Sequence, residues 1–211
     1  MALPKIDLPL YELELPSTGE KVKYRPFTVK EEKILLTAQE SEDTEQIMLS
    51  VKQIVNNCII DKDVDNLAVF DKEYLLIILR SKSVDNKVEF EIKDPETEEN
   101  VKLELDLGEV KIEKDPSHSN KIKISDEYTL FLDYPTLNNF SAMILKETPT
   151  AEETYEAMIS CLNSLASEEE FFSFKDFSKE EINDFVDSLH SDTIKQIKKF
   201  FDTLPKVKHE I

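Results

Sequence analysis

The hydrophobic period changes along this chain, and the order of the changes limits its fold more than any other feature. Residues 10–15, LYELEL, and 20–24, EKVKY, alternate apolar and polar side chains, the period of a half-buried strand. Pro16, Ser17, Thr18 and Gly19 form a turn between them, so a β-hairpin is expected there. Pro26 keeps the second strand from continuing as a central one. The period then lengthens. Ile34, Leu35 and Ala38 predict a helix over about residues 29–40, opened by the Thr28/Glu31 capping-box pair. Asp43 precedes a second helix with Ile47, Met48, Val51, Ile54, Val55 and Cys58 at helical spacing. Asp71 is read as the cap of a third helix through Ser83.

The middle returns to a period of two. KVEFEI at 87–92 and VKLELDL at 101–107 predict a second hairpin. EVKIE, NKIKI and YTLFLDY carry the β pattern to about residue 134. A central antiparallel sheet of four to five strands with one wet face is expected. Helical signals then resume. Thr136 precedes LNNFSAMILKE, Thr150 and Glu153 form a box before YEAMISCLNSL, and Ser178 and Glu181 form another before INDFVDSLH. The last helix, TIKQIKKFFDTL, stops at Pro205. Runs of strands and runs of helices, without alternation, make the fold class α+β. The expectation is one domain over residues 1–211, with sub-lobes at 1–85, 86–135 and 136–211.

Gly19 and Gly108 are the only glycines in the chain. Phosphate-cradling loops need several glycines so that backbone amides approach the ligand, so neither a dinucleotide fingerprint nor a P-loop is encoded. The net charge of −19, from 45 acids against 26 bases, repels a phosphate backbone and argues against a nucleic-acid partner. Cys58 and Cys161 sit in apolar helical patterns without a Cys-x-x-Cys pair. They are expected as core thiols of a reducing compartment, with no metal site. The N-terminus lacks the apolar core of a signal peptide, and YLLIIL, residues 74–79, is too short to span a bilayer. No membrane partner and a cytoplasmic location follow as expectations.

Catalytic chemistry has little to work with. His118 lies in a loop pattern, His190 at a helix end and His209 in the tail, and each is read as a surface residue. No Gly-x-Ser-x-Gly elbow or His-Glu-x-x-His pair occurs. Asp61, Asp63 and Asp65 have the spacing that opens a calcium loop, but Asn66 stands at the turn glycine and Lys72 at the bidentate glutamate. No catalytic residue, cofactor or metal is therefore expected. What remains is a binding protein. EEEFFSFKDF, residues 168–177, crowds Phe171, Phe172 and Phe174 into a connector, and its exposed rings would anchor a partner. Tyr24, Arg25 and Phe27 form the other candidate contact segment, with Tyr24 and Phe27 also expected to bury against the first helix. Arg25 either pairs with a nearby acid or serves an interface. On the interface reading, Arg25→Ala spares folding and weakens binding.

Two segments carry a family resemblance. LPSTGEKVKYRPFTVKEEKILLTAQES, residues 15–41, resembles the opening of the baseplate hub assembly proteins of T4-type tailed phages, and NKIKISDEYTLFLDYPTL, residues 120–137, is similar to a second shared segment. The likeness extends over nearly the whole chain and is strongest at YRPFTVKEEK. It implies an assembly chaperone or minor hub component that binds hub or other tail proteins in the host cytoplasm, with the virion baseplate as a second location. It brings no active site. A permanent hub subunit and an unrelated acidic adaptor that mimics nucleic acid stand as alternatives. Oligomeric state is left open.

Overall fold

The computed structural model describes residues 6–41, 43–93, 99–140 and 150–208. The chain divides into two compact units, Met1–Glu113 with Lys206–Ile211, and Lys114–Pro205.

The first unit opens with the expected hairpin, β1 (Tyr11–Glu14) against β2 (Lys21–Tyr24), with Leu13 opposite Val22. The Leu15 N–H donates to the Glu20 carbonyl and the Gly19 N–H to the Leu15 carbonyl, each at 2.8 Å. Gly19 sits at φ 72°, a left-handed conformation that a side chain would strain. Three helices follow: α1 (Val29–Ser41), α2 (Thr44–Cys58) and α3 (Val69–Ser83). Asp43 caps α2 as expected, its Oδ1 accepting the Glu45 and Gln46 N–H groups at 2.9 and 3.4 Å. α3 begins earlier than its predicted Asp71 cap, at Val69, with Ala68 in the cap position. The fully buried Asp71 instead accepts the Ser17 N–H at 2.9 Å and the Ser17 hydroxyl, tying α3 to the first turn. Leu15, Val22, Tyr24 and Phe27 pack with Ile54, Val55, Leu75 and Leu79 in the core of this unit. The second hairpin pairs β3 (Lys87–Lys93) with β4 (Asn100–Asp106). A short strand, β5 (Lys111–Glu113), ends the segment.

The second unit is a four-stranded antiparallel sheet covered by helices. Its elements are β6 (Lys121–Lys123), β7 (Thr129–Leu132), α4 (Ala151–Ile159), β8 (Leu162–Ala166), β9 (Phe171–Ser173), α5 (Lys179–Asp187) and α6 (Ser191–Asp202). The sheet order is β6-β7-β8-β9. Registers place Ile122, Leu130, Leu165 and Phe172 in one row across the four strands, hence on one face. That face is buried at Ile122 and Leu130, where Val186 of α5 and Ile197 and Phe200 of α6 share the core. Both capping boxes predicted for this unit form, at Thr150/Glu153 and Ser178/Glu181, whereas the Thr28/Glu31 pair of the first unit forms in half: Glu31 accepts the Thr28 N–H, but the Thr28 hydroxyl accepts the Lys30 N–H at 3.3 Å. The chain then returns to the first unit, where β10 (Lys206–Lys208) pairs with β5.

The α+β class holds, but the strands from 87 to 134 do not make one sheet. β3 and β4 pair with each other, β5 takes β10, and β6 and β7 are completed by β8 and β9. Alternation marks a strand without naming its partner, and here the partners come from the last third of the chain. Residues 162–166, read as the end of a helix, are the inner strand β8. Asn163 and Ser164 have weak helix propensity, so ladder bonds to β7 and β9 prevail. Thr136 makes a local turn, its N–H and hydroxyl bonding to Asn139 Oδ1 at 2.7 and 2.9 Å. Residues 141–149 of the helix expected after it lie outside the described residues, as does His209.

Candidate functional site

The segment Tyr24-Arg25-Pro26-Phe27 is built into the first unit. Tyr24 and Phe27 are 3% and 9% exposed. The Arg25 N–H donates to the Cys58 carbonyl and the Ile60 N–H to the Lys23 carbonyl, both at 3.0 Å, so the segment continues as a ladder onto the end of α2. The Phe27 N–H donates to Ser83 Oγ at 2.7 Å. Arg25 reaches Glu31, whose side chain is 1% exposed, with contacts of 3.3 and 3.1 Å, and also donates to the Pro26 carbonyl at 2.9 Å. The Glu31 carboxylate accepts further bonds from the Thr28 N–H (2.8 Å), the Thr28 hydroxyl (2.5 Å) and Asn57 Nδ2 (3.4 Å). Burial alone would raise this carboxyl's pKa. The bonds from Arg25 and Thr28 outweigh it and hold the pKa at about 2. Tyr24 and Phe27 therefore belong to the core, and Arg25 to the polar network beneath it. The burial expected of Tyr24 and Phe27 is observed, and of the two readings of Arg25 the pairing with a nearby acid is the one formed, with Arg25 as the counter-ion of Glu31.

The second candidate cluster remains open to solvent. Phe171 is 68% exposed, Phe172 36% and Phe177 41%. The register separates the first two: Phe172 shares a face with Leu165, while Phe171 shares the opposite face with Ala166. On the Leu165 face a groove of about 290 Å3 is lined by Leu165, Phe172, Phe174, Phe177, Ile182 and Phe185, with Glu181 at its polar side. It is the open end of the second unit's core, where the apolar row across the sheet runs out to the edge strand. Phe174 stacks at a tilt on Phe185, centroids 5.4 Å apart, and Phe172 on Phe177 at 6.4 Å. Sequence reasoning found Phe172 and Phe174 but missed the partners on α5. A signal was present: Phe177 and Ile182 occupy the N′ and N4 positions around the Ser178/Glu181 box, the spacing of a hydrophobic staple.

Carboxylates dominate the surroundings of the groove. Glu168, Glu169 and Glu170 lead into β9, and Glu180, Glu181 and Asp184 lie exposed on α5. Lys175 and Lys179, the two bases in this stretch, line a neighbouring hollow with Asp133, Glu153 and Glu156. The arrangement presents flat apolar rings inside a field of negative charge. It suits a ligand with apolar contacts and positive flanks.

The other singled-out residues have local partners. Asp61 accepts the Lys23 N–H at 2.9 Å, Asp63 accepts the Asp65 N–H at 2.9 Å, and Asp65 pairs with Lys52 at 3.2 Å. Lys72 is 2% exposed and donates to the Asp65 carbonyl at 2.9 Å, anchoring this loop from beneath. Desolvation lowers its pKa. His118, expected on the surface, is half-buried and stacks on Tyr134 and Phe200, centroids 5.7 and 5.1 Å away. The Thr203 hydroxyl donates to the Lys199 carbonyl at 2.7 Å, so His118 Nδ1, 2.9 Å from that hydroxyl, carries the proton. Its Nε2 is buried without a partner among the described residues, and desolvation lowers the imidazole pKa. His190 is exposed and at a helix end as expected, where it caps α6, its Nδ1 accepting the Asp192 N–H at 3.3 Å. Burial pushes the free thiols of Cys58 and Cys161 up to about 11 each.

Among the described residues no helix is long and apolar enough to cross a membrane. No curated protein and no solved structure compared with the chain matches it. The family model described as T4 bacteriophage base plate protein matches residues 8–211, nearly the whole chain. The protein therefore belongs to the T4 bacteriophage base plate protein family.

Proposed function

We propose that this chain is a baseplate hub assembly protein that works by protein–protein binding, as a chaperone or minor hub component, and performs no bond chemistry. The observation that carries the reading is the family match over residues 8–211. The surface that supports a binding mechanism is the aromatic groove of the second unit. Its occupant is an apolar segment flanked by lysine or arginine, presented by a hub or other tail protein. Aromatic rings supply contact area at small entropic cost, and the acidic surround speeds encounter with a basic partner and disfavours nucleic acid. A net charge of −19 keeps the unassembled protein soluble in the host cytoplasm.

The test is affinity purification of the tagged chain from infected cells, with quantitative mass spectrometry of the eluate and of purified virions. The reading expects hub or tail proteins in the eluate and at most substoichiometric peptides of this chain in virions. Stoichiometric peptides in virions would make it a permanent subunit. An eluate without any tail protein would overturn the reading.

A further inference from the structure

The β3–β4 hairpin stands apart from the rest of the first unit's strands. Each strand has seven residues, and among the described residues the two pair only with each other. Val88 faces Leu105, Phe90 faces Leu103 and Ile92 faces Val101, so six apolar side chains share one face. Ile92 and Val101 are 47% and 41% exposed. A lone two-stranded ribbon of this kind is marginal in water and gains from further strands.

The Leu107 N–H donates to the Asn86 carbonyl at 2.6 Å. In an antiparallel ladder this sets the alternation: Val101, Leu103 and Leu105 turn their backbone groups to β3, while Asn100, Lys102, Glu104 and Asp106 turn theirs to the open edge. We propose that this edge pairs antiparallel with the β4 edge of a second copy of the chain, about a two-fold axis at Leu103, joining two hairpins into one four-stranded sheet. The register then sets Lys102 opposite Glu104 of the second copy, twice by symmetry, and Asn100 opposite Asp106. Each of these pairs exchanges both of its outward backbone bonds. Val101 comes to lie beside Leu105 of the second copy, on the apolar face. Because the contact is isologous, it closes at two copies and does not propagate.

The equivalent register on the other strand is less favourable. The same operation on β3, about Phe90, would set Glu89 opposite Glu91 and Lys87 opposite Lys93, and like charges directly opposed destabilise a strand pair. In the register centred on the strand, β4 is the self-complementary edge.

Sedimentation of the purified full chain tests the proposal, run up to about 500 µM so that even a weak pairing is populated. Wild type is expected to form a dimer. Lys102 and Glu104 also pair with Glu91 and Lys87 of their own hairpin, so each is exchanged together with that partner. Lys102→Glu/Glu91→Lys or Glu104→Lys/Lys87→Glu alone should weaken association by about tenfold or more, and the two exchanges together should recover most of it. Glu104→Pro removes an outward N–H while leaving the inward ladder to β3 intact, so it should abolish the dimer without lowering the melting temperature appreciably. A wild type that stays monomeric throughout overturns the proposal. So does a Glu104→Pro variant that folds and dimerises like wild type. If the charge variants misfold by circular dichroism, the proline variant decides alone.

Discussion

The Tyr24–Phe27 segment of the first unit and the Phe171–Phe177 segment of the second are alike in composition: short, aromatic and flanked by charge. They have opposite fates. Tyr24 and Phe27 sit in the core, and the charge beside them is drawn inward, because Glu31 needs a cation and Arg25 supplies it. Phe171 and Phe172 lie on the last strand of a sheet and Phe177 shortly after it; among the described residues no further strand covers them, and α5 lines only one side of Phe172 and Phe177, so all three stay partly exposed. Whether an aromatic segment becomes core or contact surface is thus decided by its neighbours in space. A buried acid pulls one segment in, and an edge position leaves the other out.

The largest expected effect comes from cutting the network of the first unit. Arg25→Ala leaves a buried carboxylate without its cation and should cost on the order of 3 kcal/mol or more, seen as a large fall in the first unit's melting temperature. Adding Glu31→Leu should recover part of the loss, since an apolar pair avoids the stranded charge. If Arg25→Ala melts like wild type, the two segments are not different in kind.

Acid should act on the same network. The Glu31 pKa is about 2 in the fold against an ordinary 4.5, so its contribution is complete above pH 4.5 and is lost as pH falls toward 2. The loss amounts to about 3 kcal/mol over that window. Glu31→Gln should be less stable at neutral pH and flatter across it, which urea titrations at several pH values would show. The second unit should respond earlier and more weakly. Folded His118 has a pKa below its ordinary 6.5, so the unfolded chain takes up a proton that the folded one refuses. Stability therefore declines as pH drops below about 6.5, by at most about 1.4 kcal/mol per pH unit. His118→Phe should remove that slope, read as hydrogen exchange of the α6 amides.

Much of the fold could be read locally. Asp43, Thr150/Glu153 and Ser178/Glu181 cap the helices they precede, and both hairpins form as their alternation requires. The failures are non-local. β8 continues an apolar run that begins as a helix, and only the slot between β7 and β9 turns it into a strand. Lys206–Lys208 alternates too briefly to announce a strand, and β5 makes it one. Asp71 has the residue type of a cap but is claimed by Ser17, 54 positions earlier. The site follows the same rule. Phe172 and Phe174 are visible as a cluster, whereas Phe185 and Leu165 join them through the packing of α5 on the sheet.

The variant that matters most for function has a more modest effect on stability. Phe172→Ser with Phe177→Ser removes rings that are 36% and 41% exposed and should cost about 2 kcal/mol. The decisive measurement is the yield of tail proteins co-purified from infected cells by this double variant, compared with wild type, both shown to be folded at the temperature of purification. The account predicts that wild type recovers baseplate hub or tail proteins and that the folded variant loses about tenfold or more of them. Equal recovery by a folded variant would contradict the groove as the contact surface.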